Sequence, residues 1–538
     1  HLAAYRDRLV ACGGEVGEHS VSRHFWDTLS RVPTLDAFIA GMSLCFETAN
    51  LDFAGQWRDR FAAAGDPDTA RVLDDVLRDE IRHVALGVSW FRRQHDAGWL
   101  DAWARALPPT LSPSRSRGPV FDADARRRAG FRPEDLDAAR VIGGSRGRPP
   151  RVVWFDAGIE DVIGRGSRSR ASLAANRDLA SLAMFVVAAE DVVVAPTPDP
   201  SFLARLADVG FDVPRFVDAP TADAIGPFPV ARIEPWGPCP QPLHDASDLD
   251  ARERPPRWRP KFAVLSSKVE SARRAAAFAG SPGVVSELGA VWSDVGDPGP
   301  EWVVKAAFST SGTERIVGSG PFTDAHRGWL ARQLERGPVL WQPRYDVVAD
   351  VSVHVTVDAD VRVDGITRFA TVGVGRFAGT WLGRWTRGLP GDVERAVHGD
   401  GDPARAMGPT LERAGRSAGE WAKSLGFRGP LSIDAVVVRE GGGYRLHPWL
   451  ETNARRTLGR VAMSLAARIH PRASAWWRVE RHTPALAERL AQSLDAPPVR
   501  VDGRLAGGPL PTTDPRRAAS LLTWIEVDHF THSVPVRL

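Results

Sequence analysis

The sequence predicts a multidomain chain in which an all-α segment is followed by a small α/β segment and then by a larger α+β part. Three observations predict it. At 538 residues the chain exceeds what one hydrophobic core organises, and it suggests about three or four domains. Residues 1 to about 105 carry helical patterns with almost no β-branched alternation. From about residue 151 short apolar runs alternate with helical stretches, as in a parallel sheet with crossover helices.

Composition narrows the functional classes. With 69 Lys plus Arg against 66 Asp plus Glu, the formal net charge is +3, and the pI near 9.0 reflects the dominance of Arg. That balance does not by itself imply nucleic acid. No apolar stretch approaches the ~20 residues of a membrane span, and no secretory signal is visible. Cys12, Cys45 and Cys239 are odd in number and lack metal-ligand spacing, so a reduced, cytoplasmic setting is expected.

In the helical segment, expected over residues 1–140, Gly- and Pro-containing connections separate the helices at residues 12–15, 31–36 and 64–68. Residues 108–119 read as an extended connector, 122–130 as a short helical piece and 143–151 as a linker. Glu80 and His83 are three apart, so both project from one helical face, and bundle-core di-iron sites use this pairing. Glu47, within an apolar helix, could be a partner.

The ordered set His1, Tyr5, Leu9, Gly-Gly-Glu15, Phe25-Trp26, Glu47-Thr-Ala-Asn-Leu-Asp52, Asp79-Glu80-Ile-Arg-His83, Trp90-Phe91 and Phe121-Asp-Ala-Asp resembles a ferritin-like family of largely unassigned function. That family is distantly similar to di-iron tRNA hydroxylases. The resemblance runs from residue 1 to about 135 and implies that a first helix supplies one Glu and a second supplies Glu-x-x-His. His1 falls on that final His, so the bundle is expected to be truncated at its amino terminus. His1, Glu47, Glu80 and His83 would then be four of six metal ligands, with two Fe ions held only in a full-length domain. A helical module for packing or homo-oligomerisation is the plain alternative.

Residues 151–245 alternate strand and helix, from Arg-Val-Val-Trp-Phe-Asp156 through Asp-Val-Val-Val-Ala195, and predict a small parallel α/β domain. Gly164-Arg-Gly166 is too sparse for a dinucleotide fingerprint.

The chemistry concentrates further on. Asp434 interrupts an apolar strand, and after a Gly-rich turn Glu451 and Asn453 stand two apart on the next, so both point to one face. Hard cations such as Mg²⁺ take such oxygen ligands and share them with phosphates. The chain uses Arg almost everywhere and keeps Lys at 261, 268, 305 and 423 alone. Lys268 and Lys305 each close an apolar run and read as strand-borne phosphate ligands. After Lys305, Ser309, Thr310, Ser311 and Gly312 form a hydroxyl-rich loop able to lay backbone N–H groups over phosphates.

In this order the lysines, the loop and the acidic hairpin resemble the ATP-grasp superfamily over residues 260 to 470, within a domain expected at 255–470. The resemblance implies that Lys268, Lys305 and the loop contact ATP, that Asp434, Glu451 and Asn453 hold Mg²⁺, and that Arg455 steadies the transferred phosphoryl group or acyl phosphate. Ala454 replaces the Pro of the family's Glu-x-Asn-Pro-Arg motif. Gln342 stands where a Glu often begins the hinge, and Gln342 or Asp350 would contact the ribose. Residues 471–538 read as a helical and irregular, Pro-rich tail.

The expected activity is ADP-forming ligation of a small-molecule or peptide carboxylate to an amine, or a thiol, through an acyl phosphate. Two other readings stay open: a di-iron oxygenase or hydroxylase whose ATP-grasp part only binds, and a non-catalytic nucleotide-binding scaffold.

Overall fold

The computed structural model describes residues 1–18, 24–30, 32–95, 98–108, 111, 113–118, 120–141, 150–225, 230–308, 314–373 and 375–528. It divides into two compact units, one of residues 1–153, 187–233 and 245–254, the other of 154–186, 234–244 and 255–538.

The first unit begins with helices: α1 (Leu2–Ala11), α2 (Thr48–Ala63) and the long α3 (Pro67–Gln94). Asp66 caps α3 by accepting from Thr69 N–H, and Pro67 occupies its first turn, where no N–H is needed. Leu73, Leu77, Glu80, Val84, Val88 and Phe91 recur at helical spacing on the buried face of α3. That face packs with Leu44, Cys45 and Leu51 in one core. A π-helical segment, Met42–Glu47, leads directly into α2. At Gly87 a Cβ would lie 2.6 Å from Ser43 Oγ, so the π segment can approach α3 only because that residue is glycine. Fully buried Asp52 and Arg126 form a bidentate pair at 2.5 and 2.9 Å, and Asp52 also accepts from the N–H groups of Gly118 and Asp122.

Apart from Trp154, Glu234 and Pro235, this unit also holds a five-stranded sheet of β1 (Arg151–Trp154), β2 (Val192–Val194), β3 (Arg215–Val217), β4 (Val230–Pro235) and β5 (Ala251–Glu253), in order β3-β2-β1-β4-β5. β1, β2 and β3 pair in parallel, as do β4 and β5. Residues 151–245 do not form a unit of their own. Residues 154–186 and 234–244, including α4 (Ile159–Arg165), pack with the carboxyl-terminal part instead.

The second unit contains two antiparallel sheets. The smaller has β6 (Ala290–Trp292), β7 (Glu301–Lys305), β8 (Arg315–Ser319) and β9 (Val339–Pro343) in order β6-β9-β7-β8. The larger contains β10 (Asp346–Val357), β11 (Val361–Val372), β12 (Arg376–Trp381), β13 (Gly429–Glu440), β14 (Gly443–Asn453), β15 (Ser474–Arg481), β16 (Val499–Val501), β17 (Arg504–Pro511) and β18 (Leu521–Asp528). Its order is β14-β13-β10-β11-β12-β15-β18-β17-β16. Val351, Val353, Val355, Ile433, Ala435 and Val437 line one face and join one core with Leu411, Ala414 and Ala418 of a covering helix.

Two expectations are corrected here. Residues 471–528 hold an expected helix, Pro484–Gln492, but are otherwise chiefly strands of the large sheet rather than an irregular tail. Ala475, Trp477 and Val479 alternate inward along β15, which pairs with β18 over eight register positions from Ser474 to Arg481. Pro509 and Pro511 in β17 gave the segment its loop-like composition. Lys268 is not strand-borne: residues 260–266 form a 3₁₀ turn, and Lys268 opens helix α5 (Lys268–Ala275). Ser267 caps that helix by accepting from Glu270 N–H, so local capping prevailed over the apolar run.

Candidate functional site

On the edge hairpin of the large sheet, Asp434 of β13 stands directly opposite Glu451 of β14, and Ser432 opposite Asn453. Ser352 of β10 is opposite Asp434 on the other side. Strand alternation therefore puts Ser352, Asp434, Glu451 and Asn453 on one face. Asn453 Nδ2 donates to Asp434 Oδ2 at 3.0 Å, and Ser352 donates to Oδ1. Lys268 Nζ lies 2.5 Å from Glu451 Oε2.

The two carboxylates are driven apart in acidity. Burial, and then the neighbouring charge of Glu451, raises the pKa of Asp434. Burial also works to raise Glu451, but Lys268 and Lys305 outweigh it and hold Glu451 below the usual carboxylate range.

Lys305 ends β7 and donates from Nζ to Gln342 Oε1 at 2.8 Å. Burial pulls it down to about 8, with Lys268 and Arg315 adding to the effect against Glu451 and Asp350. Gln342 is only 2 % exposed. Its Nε2 faces Leu288 O and His447 Nε2, each at 3.3 Å, so it braces Lys305 from behind. Asp350 accepts from Thr371 Oγ1 at 3.1 Å, and burial pushes it up to about 6. Arg455 donates through Nε to Glu160 of α4. Burial opposes its charge, but Glu160, Asp434 and Glu451 overcome that and raise its pKa. Ser309, Thr310, Ser311 and Gly312 lie outside the described residues.

The site thus joins an oxygen-rich edge to cations on separate elements. Asp434, Glu451 and the Asn453 carbonyl have the hard-oxygen chemistry that suits Mg²⁺. Lys268 and Lys305 can take phosphate oxygens, as can one cation the sequence reading passed over. Arg315 opens β8 directly across from Lys305, and burial lowers its pKa against the pull of Glu451. A hairpin flanking the hydroxyl loop would have placed it there. Glu160 and Ser352 were also missed, since neither stands in a motif.

The helical unit brings together the other set. Ligand atoms of Glu47, Glu80 and His83 all lie within 4.8 Å of one another. His83 Nδ1 is 3.2 Å from Glu80 Oε2 and 3.6 Å from Glu47 Oε1. His1 Nδ1 is 3.9 Å from Glu80 Oε1, while its Nε2 is 3.1 Å from Asp79 Oδ2. Asn50 Nδ2 donates to Glu80 Oε1 at 3.2 Å. Burial and Glu80 raise the pKa of Glu47. Two carboxylates and an imidazole form a donor set that fits a divalent transition metal. Glu47 ends the π-helical segment, a feature that recurs at functional sites.

Residues 1–137 match the family DUF455, described as a protein of unknown function. An uncharacterized protein of Haemophilus influenzae is 27% identical over 142 residues, covering 26% of this chain. The match spans about half, 48%, of that relative's length. Among solved structures, N5-carboxyaminoimidazole synthetase from Staphylococcus aureus complexed with ADP is similar over 72% of this chain and 94% of its own, at 10% identity and a TM-score of 0.35. The synthase from Aspergillus clavatus, in complex with ADP and 5-aminoimidazole ribonucleotide, covers 72% and 95% at 10% identity and a TM-score of 0.36. Biotin carboxylase from Campylobacter jejuni covers 56% and 71% at 11% identity and a TM-score of 0.32. No described helix is long and apolar enough to cross a membrane.

Proposed function

We propose that the second unit is an ATP-dependent carboxylate–amine ligase of the ATP-grasp type. The observation that carries this reading is the opposed pair Asp434 and Glu451 on adjacent strands, with Lys268 seated on Glu451 and Lys305 within its field.

A substrate carboxylate oxygen attacks the γ-phosphorus of ATP, the bond to the β-phosphate oxygen breaks, and ADP leaves. The amine nitrogen then attacks the carbonyl carbon of the acyl phosphate, phosphate departs with the bonding electrons, and the nitrogen loses a proton. Lys268, Lys305 and Arg315 bind phosphate oxygens and offset charge that in-line transfer spreads over them. Arg455, held by Glu160, would steady the developing acyl phosphate. Asp434, Glu451 and Asn453 would hold Mg²⁺, which would offset phosphate charge there when bound. Asp350, whose charge is felt at Lys305, is the carboxylate this reading assigns to a ribose hydroxyl.

For the helical unit the proposal is a transition-metal site on Glu47, Glu80 and His83, with His1 at its rim. Di-iron oxidation chemistry is the finer form of that reading, and its support is the convergence of these donors.

The ligase reading is tested by MgATP binding and by ADP release when carboxylates and amines are supplied together. Glu451→Gln should keep the fold and lose turnover. ADP release at the wild-type rate in that variant would remove the basis of the proposal.

A further inference from the structure

Helix α5 and a long helix, α6 (Met407–Ser424), flank an open cleft of about 310 Å³. Arg274, Phe278, Arg413, Ser417, Trp421 and Trp449 line it. The Arg274 guanidinium carbon lies 5.0 Å from the centroid of the Trp421 ring, and that of Arg413 lies 5.5 Å from Phe278. Trp421 and Trp449 meet with centroids 6.2 Å apart at 58°. The three aromatic rings are buried to their edges, whereas both arginines are exposed. Among the described residues neither arginine is ion-paired with a carboxylate.

Each part of the cleft selects the same chemistry. The ring edges that Trp421 and Phe278 leave at the cleft can meet the face of a flat ligand ring edge-on. Two guanidinium groups on facing helices offer planar donor forks, which match a carboxylate bidentately where an ammonium would not. The volume suits a ligand of one or two rings.

The walls also lead to the proposed catalytic edge. Trp449 Nε1 donates to Thr452 Oγ1 at 2.8 Å, and Ser271 Oγ of α5 meets the same hydroxyl at 3.1 Å. Thr452 sits between Glu451 and Asn453. The helix that carries Arg274 begins with Lys268, the partner of Glu451.

We propose that this cleft is a regulatory site for a planar aromatic carboxylate, and that its occupancy is felt at the Lys268–Glu451 pair through α5 and Thr452. The binding claim stands apart from the ligase reading, because it needs no nucleotide.

The probe is 4-fluorobenzoate, titrated against the whole chain and followed by ¹⁹F NMR line width, with 4-fluorobenzamide as the uncharged control. Wild type should broaden the benzoate line saturably and leave the benzamide line sharp. Arg274→Ala/Arg413→Ala, checked for unchanged near-UV circular dichroism, should weaken binding by about tenfold or more, since two charge-assisted contacts are lost. Glu451→Gln should move the benzoate midpoint by about fivefold, a typical coupling between linked sites. Equal broadening by the benzamide, unaltered affinity in the double variant, or no benzoate binding to wild type overturns the site. An unmoved midpoint in Glu451→Gln overturns the coupling.

Discussion

Lys268 Nζ stands 2.5 Å from Glu451 Oε2, so the first residue of a helix neutralises the carboxylate on the edge strand of the nine-stranded sheet. An ammonium in that position competes with any cation that would share Glu451, and it is also a ready phosphate ligand. Lys268→Ala should therefore separate two effects. Mg²⁺ alone should bind the variant more tightly than wild type, while ATP affinity should fall by roughly tenfold for one lost charge-assisted contact. Calorimetric titration with each ligand checks both. A parallel loss of both affinities would mean that Lys268 only supports the fold.

Lys305 gives opposite pH trends for binding and for stability. Its pKa in the fold is about 8, against 10.5 for an ordinary lysine. Between those values the unfolded chain binds the proton more readily, so this group's contribution to stability rises with pH across that window. Triphosphate binding needs the ammonium and should weaken as pH rises through about 8. Above that pH, ATP binding should take up a proton, measurable by titration in buffers of different ionisation enthalpy. Lys305→Met should flatten both trends, and a wild type with no proton uptake would remove the assignment.

Glu160 touches Arg455 but stands in no motif, and among the described residues its Oε2 has no hydrogen-bond partner of its own. Glu160→Gln keeps the shape and removes the charge that holds Arg455 against its own burial. ADP release should slow by about tenfold with the ATP concentration dependence unchanged, because the interaction acts after ATP is bound. A raised KM for ATP at constant kcat would place Arg455 in nucleotide binding instead.

The Asp434, Glu451 and Asn453 cluster was legible in the sequence because a hairpin has a period of two and a short turn, which fix facing residues without tertiary knowledge. Glu80 and His83 were legible for the parallel reason on a helix. Lys268 was misread although Ser267 and Glu270 carry the Ser-x-x-Glu capping signature; a run of apolar residues masked it. Gln342 could not be placed by pattern, since its burial behind Lys305 depends on β7 and β9 pairing across a gap of many residues. The strands after residue 473 were hidden by two prolines in β17. The divided α/β segment was hidden because it follows from packing alone.

Asp52 and Arg126 are a fully buried ion pair among the helices of the first unit. Arg126→Met should lower stability by about 3–5 kcal/mol, since it leaves Asp52 charged without its cation. Asp52→Leu/Arg126→Met should recover part of that loss. Urea denaturation followed by far-UV circular dichroism reads both, and a single variant within about 0.5 kcal/mol of wild type would show that the N–H groups of Gly118 and Asp122 suffice for Asp52.

Gly87 offers a test of the metal reading that removes no ligand. A methyl group there would come within 2.6 Å of Ser43 Oγ and 2.9 Å of Leu44 Cγ, forcing the π-helical segment away from α3. Glu47 ends that segment and would move with it, while Glu80 and His83 on α3 would stay in place. If the three side chains share a divalent ion, Gly87→Ala should reduce Fe²⁺ or Mn²⁺ binding by about tenfold, comparable to altering a supporting shell. His83→Ala should reduce it at least as much. Bound metal after anaerobic loading and desalting gives the comparison, with melting temperature as the control for folding. Gly87→Ala that melts near wild type yet holds less metal would tie binding to the placement of Glu47. Equal metal content in wild type, Gly87→Ala and His83→Ala would assign the bound ion to other residues and leave this cluster a hydrogen-bonded contact between helices.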